Sequence, residues 1–339
     1  MDYIGSKEKL NKWIFEKIID KIASPQKCVF LDACAGSGSV SRYAAKTGFR
    51  VVANDLFAFS STIVDGSIGL ADDIAKEAKR HIINLNFLPG IDGFFLKNFS
   101  CNNDDFKNNG RLFFTQSNAR KLDAFRDYID QIENQQLKNY LLYCCLEAMS
   151  RVLNTAGVQA AFLKKLKSRA MGNIKLREEG NIHGCRPKTF NMNILKLLES
   201  NNFVEDILYI DPPYNHRQYG PNYHLYETFV RNDKPDLKGL AGLRSNWIEE
   251  SKSDLCSKDR CQSLFAVILS KTRAKYVYIS YSSDGLLKPS AFRTIAEVNG
   301  FVYRVYKKDQ SRYKADSSPD REYNTNPLQE YLFELIKNR

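Results

Sequence analysis

Apolar residues recur along the chain in two rhythms, one helical and one extended, and they alternate from the start to the end. Leu10, Trp13, Ile14, Ile18 and Ile22 fall at helical spacing over residues 7 to 23, with Lys and Glu between them, and Pro25 closes the run. Cys28-Val29-Phe30-Leu31 then predicts a buried strand and Arg50-Val51-Val52-Ala53 a second, with a helical segment through Val40 and Tyr43 between them. Ile207-Leu208-Tyr209-Ile210 predicts another strand, because an unbroken apolar run suits a parallel strand covered on both faces. Residues 60 to 90 carry a weak helical pattern through Ile63, Ile68, Ile74, Ala78 and Ile82. Leu112-Phe113-Phe114-Thr115 reads as a short strand, residues 119 to 133 as a helix, and the dense run from Leu137 to Val152 as a buried helix. Further on, Cys261, Leu264, Phe265, Ile268 and Leu269 predict a helix before the strand Tyr276 to Tyr281, and Phe292 and Ile295 mark another. Phe301 to Tyr306 and Glu330 to Ile336 are expected to pair as an antiparallel edge hairpin around a basic loop from Lys307 to Pro327. Asn98 to Gly110 is expected to be an exposed loop, and Lys234 to Ser257 surface structure. Strands alternating with helices predict an α/β sheet.

Composition bounds this picture. At 339 residues the chain can bury one large core with a sizeable insertion, or two modest domains. Charged residues at 26% and hydrophobic residues at 43% are ordinary for a soluble globular protein. The 50 Lys and Arg against 39 Asp and Glu leave +11, an excess that suits a polyanionic partner. No run approaches the length of a membrane span and Tyr3-Ile4-Gly5-Ser6-Lys7 opens the chain without a leader, so a cytoplasmic protein is expected, with no membrane partner. The eight cysteines include no C-x-x-C pair, and the His183-x-Cys185 pair lacks partners at zinc spacing, so reduced structural thiols are expected and no metal.

Three stretches carry chemistry. The first strand runs into Asp32-Ala33-Cys34-Ala35-Gly36-Ser37-Gly38-Ser39, where glycines let the backbone approach a ligand, and the second ends in Asn54-Asp55 and Leu56. A carboxylate at that position suits the two hydroxyls of a ribose, and the missing third glycine disfavours a dinucleotide. Gly5 and Ser6 are placed at a helix amino terminus, where they suit either an anion or a simple cap. Asn118, followed by Ala119, lies past the expected strand at 112 to 115, where it suits either a purine edge or a helix cap. Second, Asp211-Pro212-Pro213-Tyr214 stops its strand with two prolines that cannot donate to a sheet, holding a carboxylate, a carbonyl and a ring at the strand end. Such an acceptor-rich clamp suits a planar amino group. The polar, aromatic run that follows Tyr214 is placed to close over it. Third, residues 164 to 188 hold Lys164, Lys165, Lys167, Arg169, Lys175, Arg177, Arg186 and Lys188 against only Glu178 and Glu179. With Arg217 they are the candidates for phosphate contact; a solvated basic face is the plainer reading of the same charges.

In this order the motifs resemble those of DNA adenine methyltransferases of the Dam-like, or α, arrangement, and among them the bacterial restriction-modification members that open with a Tyr-Ile-Gly-Ser-Lys box. The likeness runs through Tyr3 to Lys7, Leu31 to Ser39, Asn54-Asp55, Phe113 to Arg120, Phe162 to Met171, Tyr209 to Glu227, Ile279 to Leu286 and Glu330 to Leu335. It implies a Rossmann-like, seven-stranded sheet at 1–136 and 203–339 and an inserted, mainly helical target-recognition module at 137–202. It also implies S-adenosylmethionine as methyl donor, with Tyr3 and Lys7 at its methionine end, Asp32 to Gly38 around it, Asp55 on its ribose and Asn118 at its adenine. Asp211, Pro212, Pro213 and Tyr214 would be catalytic, double-stranded DNA the substrate, and a cognate endonuclease a companion. A monomer or weak dimer is expected. Two alternatives share much of this pattern: an enzyme acting on adenine in RNA or on the amine of cytosine, and a DNA-binding protein on a decayed methyltransferase fold.

Overall fold

The structure, a computed structural model, describes residues 1, 3–100, 110–200, 203–310 and 328–338. The chain divides into two compact units. A sheet unit takes Lys7–Phe57, Pro187–Tyr219 and Ser251–Arg339, and a helical unit takes Met1–Ser6, Ala58–Arg186 and Gly220–Glu250.

The sheet unit holds seven strands: β1 (Val29–Asp32), β2 (Arg50–Asp55), β3 (Lys188–Asn191), β4 (Ile207–Ile210), β5 (Tyr276–Ser282), β6 (Phe301–Gln310) and β7 (Leu328–Lys337). Their order is β3-β2-β1-β4-β5-β7-β6. The first five run parallel and β7 is antiparallel to both of its neighbours. β4 lies at the centre, buried along its whole length, which explains its unbroken apolar run. Alternation within the strands feeds two cores. Leu31, Leu208, Ile210, Val277, Ile279 and Phe333 pack with Leu197, Phe265, Ile268, Phe292 and Ile295 from the helices Ile194–Glu199, Lys258–Lys271 and Pro289–Val298. Phe30 turns the other way, its ring 5.6 Å from Phe15 on the helix Asn11–Ile19, 5.5 Å from Phe49 and 6.0 Å from Tyr209.

The helical unit is built around the helices Ala58–Ser67 and Gln135–Val152. Gly66 permits their approach, since a Cβ there would lie 2.6 Å from the Asn139 carbonyl oxygen. Beside this contact the buried Asp65 accepts from Asn139 at 2.6 Å and from Arg186 at 3.0 Å. Glu227, on the helix Gly220–Arg231, accepts from the backbone amides of Ala58 and Phe59, both at 3.2 Å, and so closes the start of the first helix. Among the described residues no helix is long and apolar enough to cross a membrane.

Several sequence expectations are corrected here. The stretch 60–90 is two helices, Ala58–Ser67 and Asp72–Phe87, interrupted at Gly69, whose φ of 68° only glycine adopts freely. Residues 112–115 form no strand of the sheet; Phe114 makes one bridge to Ser100, and Phe113 and Phe114 fill an aromatic cluster with Phe95, Phe99 and His224. The third parallel strand is instead Lys188–Asn191 at the sheet edge, too short and too polar to stand out. The helix expected at 119 to 133 is Gln116–Asp130, capped by Thr115 rather than Asn118. Gly5 and Ser6 belong to a turn closed by Ser6 N–H on the Tyr3 carbonyl, and the helix begins only at Asn11. β6 and β7 form the expected antiparallel hairpin at the sheet edge, with β6 running on through Lys307 to Gln310; the rest of the expected basic loop, 311–327, lies outside the described residues, as do 101–109 of the earlier loop. Within 234–257 Arg244 is only 2% exposed, paired with Asp233 at 2.6 Å and Glu250 at 3.3 Å, so that stretch is not all surface. In the two compact units Gln135–Val152 groups with the helices that precede it, and β3 with the sheet.

Candidate active site

From β1 the chain moves outward to β2 and β3, then returns to lay β4 on the other side of β1. The strand order reverses there, and at such a point the carboxyl ends of the two strands splay into a crevice. Asp32 ends β1 and Asp211 follows β4 directly. After Asp32 the chain turns through Gly36 and Gly38, at φ 52° and 70°, conformations that favour glycine, before the helix Ser39–Lys46. Asp55, at the end of β2, fastens this turn by accepting the Gly36 amide at 2.8 Å and also takes the Phe57 amide at 3.1 Å. Asn54 ties β1 to β3, donating to the carbonyls of Ala33 at 3.2 Å and Met192 at 3.0 Å. Asn191 donates to the Asp55 carbonyl at 3.0 Å. The carboxyl ends of three strands are therefore one hydrogen-bonded platform.

Asp32 is 1% exposed. One of its oxygens accepts from Ser41 at 2.7 Å and the other has no hydrogen-bonding partner among the described residues. Burial is the main reason its carboxyl is pushed up to about 7, with the Ser41 hydroxyl opposing and Asp211 and Asp55 adding repulsion. A buried acceptor without a partner is costly unless something cationic or hydrogen-bonding meets it.

Asp211 sits beside the Lys7 ammonium, at 2.8 Å, and the same ammonium lies 3.4 Å from Glu330 on β7. Ser280 of β5 donates to Glu330 at 2.7 Å. Burial pushes the Asp211 carboxyl up to about 6; Lys7 opposes that rise and Glu330 adds to it. For Lys7 burial acts downward but the two carboxylates outweigh it, so the ammonium holds its proton more tightly than an ordinary lysine. At neutral pH the pair is Lys7 ammonium and Asp211 carboxylate. The prolines carry the chain to Tyr214, whose half-buried ring meets Tyr281 edge-on with centroids 6.3 Å apart. The Tyr214 carbonyl accepts from the Leu286 amide at 2.9 Å, and a Cβ at Gly285 would lie 2.1 Å from the Tyr281 ring. Tyr214 is thereby held from two sides.

The other expected site residues divide. Ala33, Cys34, Gly36, Gly38, Asp55 and Leu56 lie with Asp32 on the platform, and burial raises the Cys34 thiol well above its ordinary range. The Lys7 ammonium lies between Asp211 and Glu330, beside the expected clamp. Tyr3 is in the helical unit, stacked on Tyr223 at 4.4 Å. Asn118 is there too, 1% exposed, with its amide donating to the Gly172 carbonyl and accepting from Ile174 N–H, both at 2.8 Å. Ala119 beside it is fully buried. The residues that sequence reasoning missed are Asn191 at the end of β3, Met192 just after it, and Glu330 on β7. No apolar run marks β3 in the sequence, so nothing there pointed to the first two.

Of the basic residues, Lys164, Lys165, Arg169, Lys175 and Arg177 are exposed on the helical unit. Lys167 donates to the Thr155 carbonyl, and Arg186 forms a two-pronged pair with Asp65, so these two have structural partners. Lys188 and Arg217, both exposed, belong to the sheet unit.

The family described as D12 class N6 adenine-specific DNA methyltransferase matches residues 3–295. Type II methyltransferase M.NlaIII of Neisseria lactamica is 33% identical over 99% of this chain and 99% of its own. Type II methyltransferase M.FokI of Planomicrobium okeanokoites is also 33% identical over the whole chain, which spans 53% of that longer protein. Type II methyltransferase M.CviAII of Paramecium bursaria Chlorella virus 1 is 30% identical over 98% of this chain and 97% of its own. With the expected seven-stranded sheet and a family match over most of its length, the chain belongs to the D12 class of N6 adenine-specific DNA methyltransferases, enzymes that take their methyl group from S-adenosylmethionine.

Proposed function

We propose that this chain methylates the exocyclic nitrogen of an adenine swung out of duplex DNA, as the modification enzyme of a type II restriction-modification system. The rigid Asp211-Pro212-Pro213-Tyr214 turn at the β1/β4 reversal carries the reading, with three relatives that are each named a type II methyltransferase.

The donor set on the platform fits S-adenosylmethionine. The unpartnered Asp32 oxygen is a buried acceptor suited to an ammonium group, and Asp55 suits ribose hydroxyls. Half-buried Leu56 and Met192, past the ends of β2 and β3, offer apolar faces to an adenine ring. When bound, the cofactor supplies an electrophilic methyl group on a sulfonium. The remaining work falls to the chain. Adenine N6 shares its lone pair with the ring and is a weak nucleophile. The Asp211 carboxylate and the Pro212 carbonyl accept its two N–H groups, which favours a tetrahedral nitrogen and aims the lone pair outward. N6 cannot be reached inside a duplex, so the base leaves the stack and rests on the Tyr214 ring; stacking of this kind contributes roughly 1–3 kcal/mol. The exposed cations of 164–177 serve as phosphate contacts, which makes the helical unit the region of target recognition.

The test is transfer of label from radioactive S-adenosylmethionine to unmethylated duplex DNA, followed by digestion to nucleosides. Label in N6-methyladenosine is expected with the native chain and none with Asp211→Ala, which keeps cofactor binding by calorimetry. Turnover by Asp211→Ala, or label in another nucleoside, overturns the reading.

A further inference from the structure

We propose that Glu330 is a positioning residue for the reaction, acting on Asp211 through the Lys7 ammonium that both carboxylates share. The inference rests on the reading of Asp211 as the amine clamp and adds to it a residue from the far end of the chain.

Four observations support it. Lys7 lies 2.8 Å from Asp211 and 3.4 Å from Glu330, which places one cation between two anions. The side chains of Lys7 and Glu330 are each 4% exposed, against 19% for Asp211, so water has little part in the arrangement and the open side of the cluster is the catalytic carboxylate. Glu330 is itself held: Ser280 donates to the same oxygen that faces Lys7, at 2.7 Å, from the neighbouring strand β5. Lys308, opposite Glu330 on β6, carries its ammonium over the Trp13 ring, 5.7 Å from the centroid.

A cation held between two carboxylates cannot follow either one alone. Ser280 anchors Glu330, Glu330 anchors Lys7, and Lys7 fixes the Asp211 oxygen it touches while leaving the other oxygen for the substrate amine. The charges act in opposite senses on Asp211: Lys7 stabilises its carboxylate and Glu330 destabilises it. The other titratable groups around it are Tyr209 on β4, Tyr214 on the following turn, and Asp32 and Cys34 after β1.

Two variants test this with opposite expected signs. In Glu330→Gln the repelling charge is gone, so Asp211 ionises more readily and the acid limb of kcat/KM moves down by roughly one pH unit. In Lys7→Gln the stabilising charge is gone and the limb moves up. The same two shifts are expected in a carbon-13 NMR titration of the Asp211 carboxyl in the protein without cofactor, a measurement that needs no turnover. A merely structural Glu330 would lower thermal stability and plateau rate with neither titration moved. Unmoved titrations in Glu330→Gln, or shifts of the same sign in both variants, overturn the proposal, and Glu330→Ala, which removes the same charge, is read in its place if Glu330→Gln does not fold. If the NMR shifts appear but Asp211→Ala retains turnover, the electrostatic coupling stands and the clamp reading fails.

Discussion

Asp32 and Asp211 make the chain sensitive to pH, because burial raises both from an ordinary 3.8, to about 7 and about 6. Between about pH 4 and 7 the folded chain retains protons that the unfolded chain releases. Their contribution to stability is thus complete below about pH 4 and is lost as pH rises through 6 and 7. Denaturation of the native protein and of Asp32→Asn at pH 5 and pH 8 checks this: the variant is expected to lose less stability between the two, and equal slopes would remove Asp32 as the cause. A cationic ligand reverses the preference. Affinity for S-adenosylmethionine is expected to rise severalfold from pH 6 to 8 in calorimetry, and similarly for S-adenosylhomocysteine, which keeps the ammonium group suited to Asp32; a flat profile for both would remove Asp32 from the cofactor's ammonium. Asp55→Ala is expected to weaken cofactor affinity by about tenfold or more, as loss of a charged hydrogen-bond acceptor does; an unchanged affinity would remove Asp55 from the ribose site. Residue chemistry of this kind was legible where a motif sits at a strand end, as with Asp32, Asp55 and Asp211. It was not legible for Asn118, whose flanking letters suit a ligand equally well until its amide is found on Gly172 and Ile174.

Among the elements, the contact between Ala58–Ser67 and Gln135–Val152 is sensitive to a single atom. Gly66→Ala places a methyl 2.6 Å from a backbone oxygen that cannot swing aside, so a loss of about 1–3 kcal/mol is expected in chemical denaturation. A neutral result would mean that the two helices can separate at little cost. The elements that sequence reasoning found are those with a strong hydrophobic rhythm: β1, β2, β4 to β7 and long helices such as Gln135–Val152 and Lys258–Lys271. Those it missed are edge or irregular pieces. β3 reads Lys-Thr-Phe-Asn because one of its sides has no neighbouring strand and asks for no apolar run, while Leu112 to Thr115 is apolar because it fills an aromatic cluster. Short apolar runs report burial, and burial alone does not choose between strand and loop.

For the whole molecule, the excess of +11 predicts salt-dependent association with DNA. Neutralising Lys164, Lys165 and Arg169 together is expected to weaken binding and flatten its salt dependence; an unaltered slope would place the phosphate contacts on other cations, such as Lys188 and Arg217. The sequence by itself determined the α/β class, the order of the motifs, the family and the carboxylates at the strand ends, since each follows from local periodicity or from letters adjacent in the chain. Tertiary structure decided the rest. It chose which segment became the third strand, drew the limits of the two units, and set Lys7 between Asp211 and Glu330, 204 and 323 positions away by numbering. Pairing of strands and burial of charge join residues distant in the chain, and no local pattern reports which distant partner a buried ammonium will find.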